Sequence, residues 1–252
     1  VTFLGTGTSQ GIPVIACSCE VCRSVDEKDK RLRSSVLIEK DGKTIVIDTG
    51  PDFRQQMLRA GVERLDAVVF THEHKDHIAG LDDVRAFNFK ANRDMPIYGT
   101  ADVEAALKRE FHYAFGEASY PGVPRLDFRR ITNNPFDAEG LDLIPIKVWH
   151  YKMPVFGFRI DDFVYVTDAK TIDPEEKEKM KGAKVLVLNA LRKQAHLSHL
   201  NLKEALNLVE ELNPEQVYFT HISHLLGSHS EVEKELPSGV NLAYDGLKIS
   251  LT

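Results

Sequence analysis

Three imidazoles and a carboxylate fall within six residues of this chain, in the run His72-Glu73-His74-Lys75-Asp76-His77. Imidazole nitrogens and carboxylate oxygens are ligands that zinc, manganese and iron accept. The preceding Asp66-Ala67-Val68-Val69-Phe70 is apolar and β-branched and predicts a buried strand. A helix is expected from Ile78, so the ligand-rich run sits where a strand gives way to a helix. One short turn cannot aim four such side chains at one point. Alternation sends His72 and His74 one way and leaves Asp76 and His77 to face a second point nearby, a layout for two metal ions. The competing reading is a solvated polar turn. Histidine is too rare for three in six residues to be filler.

Four more candidates end apolar runs. Asp48 follows Ile45-Val46-Ile47, His150 follows the strand ending at Trp149, Asp168 follows Val164-Tyr165-Val166-Thr167, and His221 follows Val217-Tyr218-Phe219-Thr220. Loops at strand ends are where a rigid sheet presents functional groups. Each alone reads equally well as a turn residue. Together they match the number needed to complete two metal sites.

Cys17, Cys19 and Cys22 are the only cysteines. An odd number within six residues argues against a disulfide framework. Thiolates this close favour a soft cation, but a structural zinc takes four ligands, so one is missing locally. Three free buried thiols remain the alternative.

The elements that must position these residues read as follows. Strands are expected near 2–5, 35–40, 44–48, 66–70, 96–98, 126–131, 141–149, 155–160, 163–167, 184–189, 216–220, 240–244 and 247–251. Helices fit 51–60, 78–89, 101–112, 174–180 and 202–212. Asp173 with Pro174, and Asn201 with Glu204 three residues on, are helix starts. Antiparallel meanders alternate with strand–helix units, which excludes a pure Rossmann sheet or a barrel. Two sheets with helices outside accommodate the pattern.

Composition bounds the rest. A chain of 252 residues can bury a large core as one domain. The net charge of −6 makes bulk nucleic-acid binding a poor expectation. No apolar run approaches the roughly 20 residues of a membrane span. No signal peptide is evident, so a cytoplasmic location is expected. The chain starts at Val1 rather than methionine, and a few native residues are expected to precede it.

Asp48, His72-x-His74-x-Asp76-His77, His150, Asp168 and His221, in this order, resemble the metallo-β-lactamase-fold hydrolases over essentially the whole chain. The resemblance implies a single α+β domain, 1–252, built as a four-layer αββα sandwich with metals at one edge. It implies that His72, His74 and His150 hold one divalent ion and Asp76, His77 and His221 another. Asp168 would bridge them, with Asp48 orienting a ligand histidine from behind. Zinc, manganese and iron all suit that set.

A narrower resemblance is to the PhnP-type phosphoribosyl cyclic phosphodiesterases. It is carried by Phe3-Leu4-Gly5-Thr6-Gly7-Thr8-Ser9-Gln10-Gly11-Ile12-Pro13 before the cysteines, by Thr220-His221-Ile222-Ser223-His224, and by the segments around Leu236-Pro237-Ser238-Gly239 and Tyr244-Asp245-Gly246. It implies that His224 completes a structural zinc site with Cys17, Cys19 and Cys22 in a loop at about 13–24. The segment from Leu191 to His199 is also similar. It implies a general-acid role for His199, while Arg192 and His196 read either as contacts to the substrate phosphate or as a solvated loop. Asn189 departs from the branch, where an acidic residue is usual.

The implied activity is hydrolysis of a small phosphodiester, cyclic sugar phosphates included, by a hydroxide generated between two cations, with Asp76 and Asp168 serving it. Alternatives are a tRNA 3′-processing endonuclease, a thioester or lactam hydrolase, and a non-catalytic coenzyme-biosynthesis protein. The first needs a long basic arm. The aromatic segment 111–125 is short and reads as a lid or as a self-packed surface loop. A homodimer is a further expectation, and His112 and His229 are expected at the surface.

Overall fold

Ile45, Ile47, Ala67 and Val69 lie on one side of their strands, Val46 and Val68 on the other, and both sides are fully buried. The same alternation holds for Phe163 and Tyr165 against Val164 and Val166, and for Val187 against Leu186 and Leu188. Such strands need cover on both faces. The computed structural model, which describes residues 1–116 and 121–251, supplies that cover in four layers.

One sheet has six strands, in the order Thr2–Gly5, Ser35–Lys40, Lys43–Ile47, Ala67–Val69, Met95–Gly99 and Leu126–Arg130. The other runs Thr171–Ile172, Leu141–His150, Met153–Ile160, Phe163–Val166, Val185–Asn189, Gln216–Thr220 and Val240–Leu242, with Phe136–Ala138 paired to the second of these. Three buried clusters fill the three gaps. One lies between the sheets, around Phe3, Phe158 and Tyr165. One lies under the helices Phe53–Ala60 and Ala101–Glu110. One lies under Pro174–Met180, Leu202–Leu212 and His229–Glu235. This is the αββα sandwich that the resemblance implies. Each fully buried large apolar side chain in these layers is worth about 1.5–3 kcal/mol, which holds the strand ends rigidly.

Strand direction places the chemistry. Lys43–Ile47, Ala67–Val69, Met95–Gly99 and Leu126–Arg130 are parallel. So are Phe163–Val166, Val185–Asn189, Gln216–Thr220 and Val240–Leu242. Leu141–His150 and Phe163–Val166 are both antiparallel to the strand between them, so they point the same way. Asp48, the 72–77 run, His150, Asp168 and His221 therefore leave their sheets at one edge.

Several expected elements differ. The helix expected over 78–89 is broken into Lys75–Ile78, a 3-10 turn Leu81–Val84 and Arg85–Ala91. The break is at Gly80, whose N–H bonds the Thr49 carbonyl at 2.8 Å. A Cβ on Gly80 would lie 2.2 Å from the Gly50 carbonyl oxygen, and one on Gly50 would lie 2.2 Å from that of Asp76. The two glycines let the Asp48 loop press against the ligand loop. The strand expected at 247–251 is an extended segment with a single bridge, Thr2 to Lys248, because only the sheet edge is there to receive it. The helix Leu202–Leu212 has the expected capping box of Asn201 and Glu204. Asp173 precedes Pro174 as expected, but its carboxylate accepts from Trp149 Nε1 at 2.9 Å instead of capping the helix. Among the described residues, no helix is long and apolar enough to cross a membrane.

Candidate metal centre

Asp48, Asp168 and His221 each have a positive φ, 65°, 58° and 54°. That conformation costs an L-residue roughly 1–2 kcal/mol. All three are strand-end residues, and the turn of the backbone there swings their side chains inward. Strain concentrated in this way is typical of functional sites.

Asp168 is the hub. Its carboxylate lies 3.1 Å from His221 Nδ1, 3.5 Å from His77 Nε2 and 3.8 Å from His72 Nε2. Three sets of ligand atoms close enough for one ion share it: His72 and His74; Asp76, His77 and His221; His150 and His199. His150 also packs its ring against His74 and His72, at 5.2 and 6.2 Å between centroids.

The groups behind these side chains set their orientation. Asp48 is fully buried and accepts from Thr71 N at 2.9 Å and Thr71 Oγ1 at 2.8 Å. His77 Nδ1 lies 2.7 Å from Asp48 Oδ2, so that nitrogen donates and Nε2 faces the carboxylates of Asp76 and Asp168. A hydroxyl has one hydrogen, and Thr71 gives it to Asp48. His72 Nδ1, 2.9 Å from Thr71 Oγ1, must then donate to that oxygen, which leaves His72 Nε2 as a free lone pair. Sequence reasoning missed Thr71, although its place between a buried strand and the first histidine was a signal. It also missed Thr8 and Ser34, whose hydroxyls lie 3.2 and 3.3 Å from the His221 ring nitrogens.

Burial pushes His72 well below the ordinary imidazole range and also lowers His74 and His221. These rings are neutral. Burial opposes charge on His77 as well, but Asp76, Asp48 and Asp168 around it win and hold it well above that range. Burial likewise opposes ionisation of Asp168, yet His221 and His77 keep it well below the carboxylate range. The pocket thus holds carboxylates, neutral rings and one protonated ring, His77, whose Nε2 proton a bound cation would replace. The buried Nε2 atoms of His72 and His77 and Nδ1 of His199 make no hydrogen bond. Oxygen and imidazole donors, preorganised and unspent, fit divalent cations.

His199 is brought closer than its sequence position suggests. Its ring centroid is 4.5 Å from that of His150 and 4.9 Å from that of His221. Burial lowers it to about 3. The His196 ring lies beyond it, tilted, at 5.1 Å between centroids, and is lowered by burial and then by Arg192. Arg192 bonds the carbonyls of its own loop, Ala195 at 2.8 Å and Gln194 at 3.4 Å. Asn189 has a specific task. Its amide bonds Ala169 at both backbone atoms, 2.8 and 3.0 Å, which locks the residue after Asp168. An ionised carboxylate there would leave the Ala169 carbonyl without its donor.

The second cluster is separate. The sulfurs of Cys17, Cys19 and Cys22 lie 3.4, 3.3 and 3.5 Å from His224 Nδ1. A zinc ion with arms near 2.3 Å to sulfur and 2.0–2.1 Å to nitrogen needs ligand atoms about 3.5 Å apart. The backbone N–H of Cys22 and then His224 pull the Cys19 thiol down to about 6, while burial pushes Cys22 up to about 11.

One expectation changes. His229 is not at the surface: it is 5% exposed, with Nδ1 3.1 Å from the Arg31 guanidinium and its backbone N–H on Asp29 at 2.7 Å. A buried arginine far away in sequence needs an acceptor, and nothing local to 229 reveals that. His112 is exposed as expected. In the segment 111–125, Phe111 is buried in the core and Tyr113 donates to Asp82 at 2.5 Å. These two residues tie the start of the segment to the protein, while His112, Tyr113 and Gly116 stay exposed. Residues 117–120, with Tyr120, lie outside the described residues.

Comparison with known proteins shows the family. A family model described as a β-lactamase superfamily domain matches residues 43–222, and the chain belongs to that superfamily. The solved structure of a new diphosphatase from the PhnP family superposes with a TM-score of 0.93 at 40% identity, over 100% of this chain and 97% of the other. The chain's place within the superfamily is the PhnP-type branch of metallo-hydrolases. A Porphyromonas gingivalis protein named an octanoyltransferase is 41% identical over 250 residues, 98% of this chain but 50% of its own length. The chain thus spans about half of that relative. A probable metallo-hydrolase of Bacillus subtilis, YhfI, is 27% identical over 233 residues, 84% of this chain and 90% of its own. Proteins of this fold bind divalent metals such as zinc.

Proposed function

We propose that the protein is a metal-dependent hydrolase of small phosphodiesters. The observation that carries this is Asp168, a buried carboxylate shared by every ligand set of a histidine-rich pocket. His72 and His74, with the His150 ring against them, would hold one cation, and Asp76, His77 and His221 the other. Bound divalent cations supply Lewis acidity and lower the pKa of water to roughly 7.

The chain's own residues do the rest. Asp48 and Thr71 keep the His72 and His77 rings in the tautomers that present Nε2. Asn189 fixes the backbone after Asp168. His199, at the rim beside His150, donates a proton to the leaving oxygen. Arg192 places a guanidinium on the same loop for the phosphate. The Cys17, Cys19, Cys22 and His224 cluster would hold a structural zinc. The diphosphatase activity named for the PhnP-family relative supports a phosphate-centred reaction.

A second reading, hydrolysis of a thioester, is kept because the Porphyromonas relative is named for octanoyl transfer, although this chain spans about half of it. One panel tests both. Protein reconstituted with zinc or manganese is assayed on cyclic and linear phosphodiesters, diphosphates, phosphomonoesters, an octanoyl thioester, a lactam and precursor tRNA. Turnover of small diesters with little action on monoesters is expected. Thioester turnover without diester turnover, or cleavage of precursor tRNA alone, would replace the proposal.

A further inference from the structure

His199 is held differently from the other buried rings of the pocket. Thr71 and Asp48 fix the rings of His72 and His77 through their Nδ1 atoms. Among the described residues no hydrogen bond fixes the His199 ring, and its buried Nδ1 has no partner. Before it in the loop, Lys193, Gln194, Ala195 and Leu197 are exposed. The place of this ring is therefore set largely by the backbone that follows it.

That backbone is tied to the segment after Asp168 at two points. The Leu200 N–H donates to the Ala169 carbonyl at 2.8 Å. Farther out, the Lys170 ammonium donates to both carboxylate oxygens of Glu204, at 2.8 and 2.9 Å. Glu204 Oε2 also accepts from the N–H of Asn201, two residues after His199, at 2.9 Å. The Lys170 N–H in turn donates to the carbonyl of Trp149, next to His150, at 2.8 Å. One run of bonds thus joins the strand end at His150, the segment after Asp168 and the helix start behind His199.

Stability does not explain the Lys170–Glu204 pair. The two side chains are 21% and 37% exposed, and ion pairs as wet as this contribute little. The capping box of Asn201 and Glu204 needs no lysine. What the pair adds is a fixed separation between the two segments that carry Asp168 and His199.

We infer that Lys170 and Glu204 are positioning residues, which hold His199 in register with the Asp168 carboxylate and the His150 ring. This rests on the acid role given to His199 above. Neither side chain belongs to a ligand set, so their effect passes through His199. A reacting group displaced by about 1 Å can lose about 100-fold in rate.

Two variants break the pair from opposite ends. Glutamine serves in a capping box, so Glu204→Gln keeps the helix start and the Lys170 ammonium, whereas Lys170→Met removes the ammonium. Each should lower kcat on an alkyl phosphodiester by about 10–100-fold with KM unchanged, and hardly affect a nitrophenyl diester. The double variant should be no slower than either single one, because both remove the same contact. Metal content should be that of the wild type, and melting temperatures should stay within about 2 °C of it. In a crystal structure of Lys170→Met the His199 ring should stand farther from His150 than the present 4.5 Å between centroids. A higher KM in Lys170→Met alone would make Lys170 a substrate contact and overturn the inference. So would equal loss on both diesters, or losses that add in the double variant. An unmoved ring and wild-type kcat in Lys170→Met, beside a His199→Ala variant that still discriminates between the diesters, sinks the clamp and keeps the reaction. A displaced ring in a protein whose wild type turns over neither diester keeps the clamp and sinks the reaction.

Discussion

The two ligand clusters of this chain are built in opposite ways. Asp48, His72, His77, Asp168 and His221 are almost fully buried, anchored at strand ends and held by hydrogen bonds from Thr71, Thr167, Ser34 and Thr8. Cys17, Cys19 and His224 are half-buried, on loops, with only the four-residue helix Glu20–Arg23 for local order. The first cluster is shaped by the sheets whether or not an ion is present. The second is tied to the core through Ile12, Val21 and Cys22, but its other ligands leave from loops. A preorganised site can devote a cation to chemistry, whereas a loop site uses it to fold. Losing ligands should therefore cost activity at one cluster and stability at the other.

The largest effect tests the first half of that contrast. Asp168→Asn should lower phosphodiester turnover by about 10³-fold or more, the scale on which one preorganised electrostatic group acts. Its melting temperature should stay close to wild type, as seen by circular dichroism. His199→Ala should slow an alkyl diester by about 10²–10⁴-fold, the worth of positioned proton transfer. A nitrophenyl diester, whose phenolate leaves unaided, should be hardly affected. Equal loss on both substrates would remove His199 from the acid role, and loss of bound metal would make it a ligand.

Cys19→Ser should invert the pattern. A stability loss of about 3 kcal/mol, near the top of the usual range for one substitution, corresponds to a melting point roughly 6–12 °C lower. Turnover per folded molecule should change little. A variant that melts like the wild type but is inactive would erase the distinction between the clusters.

The smallest effect lies behind the cysteine loop. Burial, then Arg31 and Lys28, push His229 down to about 4, against 6.5 in the unfolded chain. Between those values the unfolded chain binds more protons. The contribution is intact above about pH 6.5 and is lost as pH falls through 6.5 toward 4. His229→Gln, whose amide oxygen can accept from Arg31, should flatten the stability profile over that window in urea titrations. An unchanged slope would place the acid sensitivity elsewhere.

Much of the centre was legible because strand ends can be read. Apolar alternating runs stop at Asp48, His150, Asp168 and His221, and parallel strands bring such ends to one edge. Segments with strong local signals, such as the capping box at Asn201, also appear where expected. Contacts between distant loops were not legible. Gly80 breaks a helix only because Gly50 presses on it, His229 is buried only because Arg31 is, and Thr71 matters only because Asp48 lies opposite.

The central claim is that one carboxylate organises two active-site cations independently of the cysteine zinc. Counting metals by inductively coupled plasma mass spectrometry on three purified proteins tests it most directly. The account predicts three ions per wild-type chain. It predicts that Asp168→Asn keeps the cysteine zinc and loses active-site metal, and that the folded fraction of Cys19→Ser keeps the active-site pair and loses the zinc. Full metal content with wild-type turnover in Asp168→Asn would contradict it.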